Sequence, residues 1–415
     1  MRRYKNHPAL SFASFIAGRI TFKSKRTFSK LIVRIAIVGI TLGLGVMILT
    51  LAVVRGFKSE IREKIRGFAG DIQVVKFDLN NSYENSPFPK DQKFVERALS
   101  RNLVTRVMPF ATKPGIIRAN DEIEGVVLKG VDKNYDWSFF KYTLLAGKVI
   151  DFTDSVEAQK QLMISQQTAN RLKLKVGDHI IMYFVQQPLR RRPFTICGIY
   201  SSGVDEVDRM YVVGSLSLIQ RLNDWSPDQI GGYELRVTNF DDINRAADYI
   251  DDVLPVKLKA YTVAQNFSTI FEWLELLDTN TVVMLVLMLI VAVINMISAL
   301  LIMIVERTSM VGVFKALGAT NWAIQKVFLY NALYLIALGL IFGNLMGYGI
   351  GYLQLSTHLF KLDAASYYMS FVPIQFNFWD DVLLNIGTLI ICLLVLIVPS
   401  MLVSRISPVK AIQFK

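Results

Sequence analysis

The chain has 415 residues, of which 52% are hydrophobic and 19% charged, and its formal net charge is +12. Such an apolar, weakly charged composition is unusual for a soluble globular protein, so membrane-spanning segments have to be sought first. The two cysteines, Cys197 and Cys392, exclude a disulfide-rich framework.

Residues 1–30 mix bulky apolar side chains with basic ones, which predicts an amphipathic cytoplasmic segment lying on the inner leaflet. Residues 31–54 form a long uncharged apolar run, the first transmembrane helix, which we interpret as an uncleaved signal anchor. Beyond it, apolar residues recur at steps of three and four as far as Phe68, so the helix is expected to continue outside the membrane and to end at Gly70.

Residues 55–278 are predicted to form a large periplasmic α+β domain with a helical stalk at each end. Short β-rich runs such as EGVVLKGV and RMYVVG alternate with helical patches such as DDINRAADYIDDVL. At about 200 residues, this domain is large enough to have its own core.

Three more apolar runs follow, at residues 279–304, 327–355 and 381–403, and each is long enough to cross a bilayer. Between them lie a single cytoplasmic helix, 305–326, and a periplasmic loop, 356–380, and a cytoplasmic tail, 404–415, follows the last run. The predicted fold class is therefore an integral membrane α-helical protein with four transmembrane helices and one large outside domain.

The basic excess fixes the expected orientation. The three segments assigned to the inside, residues 1–34, 305–326 and 404–415, contain 15 of the 46 basic residues but one of the 34 acids. Lysine and arginine accumulate on the cytoplasmic side of membrane proteins, which predicts that both termini are cytoplasmic. Because the excess follows the membrane edges, we assign it to topology and lipid contact and expect no nucleic-acid binding.

Four glycines in the third span are spaced by four residues and therefore share one helix face. Small residues in this pattern allow a neighbouring helix to approach closely, so they are candidates for helix packing. They are Gly339, Gly343, Gly347 and Gly351.

The sequence contains no motif that predicts catalysis or metal binding by this chain. It has no G-x-x-x-x-G-K-[ST] loop, no H-E-x-x-H and no Cys-x-x-Cys, and its three histidines are scattered. The spans also lack the buried Asp, Glu or Lys residues that ion-coupled pumps use, so the energy for any transport is expected from another subunit.

The cytoplasmic segment ERTSMVGVFKALGATNWAIQK is the most informative stretch of the sequence. Taken alone, it is compatible with a simple connector between two spans or with a lever that docks into a partner. The candidate coupling residues within it are Glu306, Arg307, Met310, Val311, Gly312, Lys315, Ala316, Leu317, Gly318 and Ala319.

This segment resembles the E-R-[ST]-x-x-[IV]-G-x-x-[KR]-A-L-G-A signature of FtsX-like ABC permeases. The ending SRISPVKAIQF is similar to the closing phrase of the same superfamily, with Lys410 in place of the usual acid. GITLGLGVMILTLAVVRGF across the first span narrows the resemblance to lipoprotein-releasing permeases of the LolC/LolE type, over essentially the whole chain.

The resemblance implies a subunit of a larger transporter in the cell inner membrane. The expected partners are a cytoplasmic ABC ATPase (LolD-like), a second permease that is either a copy or a sister chain, lipoprotein substrates, a periplasmic lipoprotein carrier (LolA-like) and membrane lipids. ATP and Mg are expected in the ATPase, and no cofactor is expected in this chain, which is therefore not predicted to be an enzyme.

Two site hypotheses accompany the resemblance. A short hairpin is a candidate for carrier docking, with a plain solvated turn as the alternative. It comprises Gln187, Pro188, Leu189, Arg190, Arg191, Arg192 and Pro193.

A lateral cavity for acyl chains is the second hypothesis, with ordinary core packing as the alternative. Its candidate residues are Met47, Leu51, Val54, Phe57, Phe271, Leu274 and Leu277.

Two other functions remain open at this level. One is an export permease of the macrolide-efflux type, which normally carries its ATPase on the same chain. The other is a transmembrane signalling scaffold that controls a periplasmic hydrolase.

Overall fold

The computed structural model describes residues 16–18, 27–78, 83–363, 367 and 369–406. Most of the predicted amphipathic segment 1–30 and the last nine residues of the tail 404–415 lie outside this part. The chain divides into two units, which we call the helical unit and the strand-rich unit. The helical unit consists of Met1–Lys58, Leu274–Lys361 and Phe371–Lys415, and the strand-rich unit of Ser59–Trp273 and Leu362–Ser370.

In the described part of the chain, four long helices are apolar and long enough to cross a membrane, as predicted. We call them the first to fourth long helices: Thr27–Ala69, Ser268–Glu306, Asn321–Thr357 and Phe378–Ser400. A short helix, Thr308–Ala316, follows the second of them, and a 3-10 turn, Met401–Arg405, follows the fourth. The first two extend well beyond their apolar runs, whereas the orientation of the termini stays a prediction.

The glycine face of the third long helix lies against the first long helix. A Cβ atom on Gly339 would stand 2.6 Å from Ile40 Cβ, and one on Gly343 would stand 2.9 Å from Leu44 Cβ. The hydroxyl of Thr41 donates to the carbonyl oxygen of Gly339 over 3.4 Å. Gly347 faces Ile48 in the same way, while a Cβ on Gly351 would meet Phe376. The first three glycines therefore set the close approach of these two helices.

Polar side chains join the third long helix to the fourth. The amides of Asn344 and Asn385 are paired reciprocally, at 2.7 and 3.1 Å. One turn further along, the Tyr348 hydroxyl donates to Asp381 Oδ2 over 2.6 Å. Asp381 is only 5% exposed, so the expectation that the spans contain no buried acid was wrong at the first residue of the predicted fourth span. The acid is tolerated there because a hydroxyl donor satisfies it.

Within the described residues, the strand-rich unit has twelve strands, ten of them in one sheet. They are β1 (Ile72–Lys76), β2 (Phe88–Pro89), β3 (Val104–Ala119), β4 (Glu122–Val131), β5 (Leu144–Gly147), β6 (Gln161–Ser165), β7 (His179–Phe184), β8 (Arg190–Tyr200), β9 (Tyr211–Ser215), β10 (Gln229–Ile230), β11 (Gly232–Val237) and β12 (Leu258–Thr262). The order is β12-β1-β11-β3-β4-β9-β6-β8-β5, and β7 pairs with both β3 and β8. The pairings β3-β4-β9-β6-β8-β7 thus close into a ring, which leaves these six strands no free edge.

Short helices accompany these strands. They are Gln92–Leu99, Ser138–Thr143, Ser155–Ala158, Gln166–Leu172, Asp205–Met210, Leu216–Leu222, Ile243–Val253 and Val263–Asn266, with one 3-10 turn, Phe240–Asp242. The pairs β4/β9 and β6/β8 are parallel, and the remaining pairs of the sheet are antiparallel. From Val126 to Val131, β4 is buried on both faces, as expected for a strand in the middle of such a layered unit.

The end of the first long helix is fixed inside the strand-rich unit by buried charges. Gly70 takes a φ of +75°, which stops the helix where the sequence predicts. The Lys129 ammonium lies 2.7 Å from Glu234 Oε1 and also donates to the carbonyl oxygen of Phe68 in the last helical turn. Burial lowers the pKa of Lys129, and the Glu234 carboxylate partly offsets that shift. A cation at this position complements the negative end of the helix dipole.

The glycine face generates a packing prediction with a matched control. Gly343→Val should push Leu44 away and destabilise the helical unit by about 1–3 kcal/mol, the usual range for overpacking. A Cβ on Gly349 of the same helix meets nothing within 4 Å, so Gly349→Val should be tolerated. Thermal unfolding of the two variants in detergent, measured side by side, checks this. Equal melting temperatures would contradict the packing role of the glycine face.

The buried ion pair generates a second prediction. Lys129→Met leaves Glu234 buried without its cation and should destabilise the strand-rich unit by about 3–5 kcal/mol. The double variant Lys129→Met, Glu234→Leu should recover most of this loss because it leaves no unpaired charge. Hydrogen exchange of the β4 and β11 amides in the full chain measures both effects.

Lys160→Met is the control for the ion-pair variants, because Lys160 pairs with Glu157 at the surface, where both side chains are exposed. It should change stability by less than about 1 kcal/mol. If the single and double Lys129 variants lost equal protection, the unpaired charge would not be the cause.

Candidate functional site

The predicted coupling segment, residues 306–319, is not one continuous helix with its neighbours. The second long helix ends at Glu306, and Arg307, with φ −104° and ψ 16°, separates it from the short helix Thr308–Ala316. Gly318 then takes a φ of +88°, and the Thr320 side chain caps the third long helix by accepting from the amide of Ala323. The single coupling helix predicted for 305–326 is therefore wrong: a glycine turn and a new N-cap interrupt it.

The coupling segment has a buried and an exposed face. Val311 and Gly312 are buried in the helical core, so the structure does not offer these two predicted coupling residues to a partner. Leu317 is 79% exposed. Two further exposed apolar residues, Val313 and Trp322, are not among the residues predicted from the sequence. Among the remaining candidates, Ala316 and Gly318 are exposed, and the others are partly buried: Glu306, Arg307, Met310, Lys315 and Ala319.

Lys315 points along the surface of its own chain. Its ammonium donates to the carbonyl oxygens of Ser404, over 3.1 Å, and Ile406, over 2.8 Å. These carbonyls follow the fourth long helix. The two stretches on which the family resemblance depends therefore meet in the folded chain.

An apolar groove of about 410 Å³ lies between the first, second and fourth long helices. Its lining residues are Met47, Leu51, Leu285, Val286, Leu289, Asp380, Leu383, Leu384, Gly387, Thr388 and Ile391. Asp380, whose carboxylate accepts from the Arg55 guanidinium, and Thr388 supply its polar side chains. The groove is therefore apolar along its length, with an ion pair at the end where the fourth long helix begins.

The structure brings only part of the predicted cavity together. Met47 and Leu51 line the groove, whereas Val54, Phe57 and Leu277 are half-buried outside it. Leu274 is buried in the helical unit. Phe271 belongs to the strand-rich unit, where its ring stacks on Phe240 at 6.4 Å.

The fourth-helix wall of the groove and the Arg55–Asp380 pair were missed from sequence. The available signal was a doublet of acids, Asp380 and Asp381, directly before the last apolar run, together with Arg55 directly after the first.

The predicted hairpin exists, at the turn between β7 and β8, where Phe184 pairs with Arg190. Gln187, Pro188 and Leu189 at its tip are exposed, as are Arg191 and Pro193. The Arg190 guanidinium lies 2.8 Å from Asp224 Oδ2 and donates to the Leu222 carbonyl over 2.9 Å. Arg190 is thus held by its own domain, and of the three arginines Arg191 is exposed while Arg190 and Arg192 are partly buried.

Two protein-family models match the chain. One, described as a MacB-like periplasmic core domain, matches residues 35–253, and one described as an FtsX-like permease C-terminal region matches residues 282–408. The lipoprotein-releasing system transmembrane protein LolE of Haemophilus influenzae is 22% identical and covers 94% of this chain and 96% of its own. LolC of Xylella fastidiosa is also 22% identical and covers 95% of this chain and 96% of its own.

Two further similarities are more partial. The macrolide export ATP-binding/permease protein MacB of Wolinella succinogenes is 23% identical over 83% of this chain but only 54% of its own length. The crystal structure of the periplasmic region of MacB from Actinobacillus actinomycetemcomitans covers 51% of this chain and 97% of its own, with 12% identity and a TM-score of 0.34. That superposition is too loose to add to the family assignment.

The core-domain match extends over more than half of the chain, and the LolE and LolC alignments extend over nearly all of it. The chain therefore belongs to the FtsX-like permeases that carry a MacB-like periplasmic core domain, and among them to the LolC/LolE type.

Proposed function

We propose that this chain is a permease subunit of an ABC transporter in the cell inner membrane, which extracts lipoproteins from the outer leaflet and passes them to a periplasmic carrier. The apolar groove carries this proposal, because it offers a surface for an acyl chain at the level of the membrane-spanning helices. The names of the LolE and LolC relatives, which belong to lipoprotein-releasing systems, supply the substrate class. ATP and Mg would be bound by a separate ATPase subunit.

The groove addresses the main energetic obstacle to lipoprotein extraction. Removing an acyl chain from lipid into water costs about 0.8 kcal/mol per CH₂, so a three-chain anchor costs tens of kcal/mol without an apolar shelter. Side chains such as Leu285, Leu384 and Ile391 offer the acyl chain an environment similar to lipid. ATP hydrolysis would then be needed to close the shelter, rather than to pull bare acyl chains through water.

The ion pair at the end of the groove suits a substrate that has a polar group above its acyl chains. Arg55 and Asp380 are both about one-third exposed, so each can exchange its partner for a group of the substrate. A lipidated protein has its peptide linkage and ester groups in this position relative to its chains. The groove thus matches an amphiphile better than a wholly apolar compound.

The first experiment measures release of a radiolabelled triacylated lipoprotein from proteoliposomes. These contain this chain, its ATPase and, where one exists, the sister permease, with a soluble carrier outside. Release should require ATP and the carrier, because the chains need an apolar acceptor after leaving the bilayer. A deacylated form of the same protein is the control. ATP hydrolysis without release would contradict the proposal and favour macrolide-type efflux or a signalling role.

A second experiment fills the groove from within. A Cβ on Gly387 meets no atom within 4 Å, so Gly387→Trp can place its ring in the groove without displacing the helices. Release should fall by about tenfold or more, since an acyl chain and an indole cannot share this volume. Gly349→Trp, on the third long helix, is also free of contacts and lies outside the groove. If Gly349→Trp reduced release as strongly as Gly387→Trp, the groove would not be the acyl site.

A further inference from the structure

Lys315 contacts the segment that follows the fourth long helix, about ninety residues further along the chain. Its ammonium donates to the carbonyl oxygens of Ser404 and Ile406, just after the fourth long helix. The last carbonyls of a helix and the turn that follows lack partners within the helix, and a cation there also complements the helix dipole. The Lys315 side chain thereby donates hydrogen bonds to carbonyl oxygens just after the end of the fourth long helix.

Apolar packing strengthens the same connection. Val311 of the short helix and Val403 of the 3-10 turn are both fully buried in one apolar cluster of the helical unit. Phe314 and Ile406 pack against that cluster from the partly buried positions. By contrast, the short helix and the second long helix are separated at Arg307, whose backbone is not helical. The coupling segment is thus more firmly attached to the end of the fourth long helix than its chain order suggests.

The fourth long helix leads from this contact to the groove. Its 23 residues span about 35 Å at 1.5 Å per residue, slightly more than the roughly 30 Å of a bilayer core. Its other end carries Asp380, which lines the groove and pairs with Arg55 of the first long helix. The helix is continuous from Phe378 to Ser400, with Pro399 in its last turn, so a displacement at one end can reach the other.

We infer that Lys315 is a positioning residue that clamps the coupling segment to the fourth long helix, so that a push on this segment moves the groove wall. In this arrangement Lys315 does not contact the ATPase, although it lies within the stretch that resembles the coupling signature. The exposed residues Val313, Leu317 and Trp322 remain available to a partner. The clamp itself follows from the contacts, while its role in transport rests on the proposed function.

A distance measurement tests the clamp without any transport. Nitroxide labels are attached at Leu317→Cys and Leu402→Cys, two exposed positions on either side of the contact. The native Cys197 and Cys392 are buried, and burial raises the pKa of Cys197 to about 12, so neither competes for the label. Pulsed electron–electron double resonance on the full chain in nanodiscs then gives the distribution of distances between the two labels.

Lys315→Met should broaden or lengthen this distribution, because the two carbonyls lose their donor. Lys315→Arg should keep it narrow, since a guanidinium can donate to the same oxygens. Lys326→Met is the matched control, as the Lys326 ammonium lies over the Trp322 ring, 5.3 Å from its centroid. An unchanged distribution in Lys315→Met, or an equal change in Lys326→Met, would overturn the clamp.

A transport readout tests the consequence. In the proteoliposome assay, Lys315→Met should retain ATPase binding and ATP hydrolysis but release about tenfold less lipoprotein per ATP, reflecting the lost charge-assisted hydrogen bonds. Lys315→Arg should restore that ratio. Loss of ATPase binding in Lys315→Met would show that Lys315 contacts the partner and would overturn the inference. If the parent chain released no lipoprotein at all, the proposed function would fail while the distance measurement would still decide the clamp.

Discussion

The close approach of the third long helix to the first is the contact on which the helical unit depends. Lipid tails are as apolar as leucine side chains, so helices in a bilayer gain little by hiding apolar surface from each other. Association then needs dense van der Waals contact, and Gly339, Gly343 and Gly347 provide it by admitting Ile40, Leu44 and Ile48. No larger residue would leave room for these three side chains.

The strand-rich unit is stabilised differently, because water rather than lipid surrounds it. Its closed ring of strands has an apolar core, and it can include a buried ion pair such as Lys129–Glu234 where a helix end needs a cation. A buried pair of this kind costs desolvation and adds little net stability. Its contribution is to fix one arrangement of the helix end relative to β4 and β11, since any other arrangement leaves a charge without a partner.

Sequence predicted the features that depend on local pattern. The four long helices follow from apolar runs, the end of the first follows from Gly70, and the glycine face follows from a spacing of four. The partner of that face, the fourth-helix wall of the groove and the buried Asp381 depend on which helices are neighbours. Periodicity describes one helix at a time and carries no information about its neighbours.

The interruption of the coupling segment could be predicted from the sequence only in part. Its turn at Gly318 could be read as a helix stop, but Arg307 ends the second long helix without a glycine or proline, and the Thr308 hydroxyl donates to the Val305 carbonyl oxygen in the last turn over 2.6 Å. The short helix beyond Arg307 buries Val311 and Gly312 in the helical core. Tertiary packing therefore decides the break, and the sequence pattern on its own favours continuation.

These contacts divide the helical unit into parts that differ in how firmly they are held. The first and third long helices are joined at the glycine face, the third and fourth by the Asn344–Asn385 pair, and the fourth returns to the first through Arg55–Asp380. These three helices form a closed set of contacts, whereas the second is the least buried of the four.

The groove lies between the second long helix and two members of that set, so its width depends on the position of the second helix relative to the other three. Lys315 joins the coupling segment to the end of the fourth long helix, which belongs to the three-helix set. The break at Arg307 separates the same segment from the second long helix, so the two walls of the groove are connected to it in different ways.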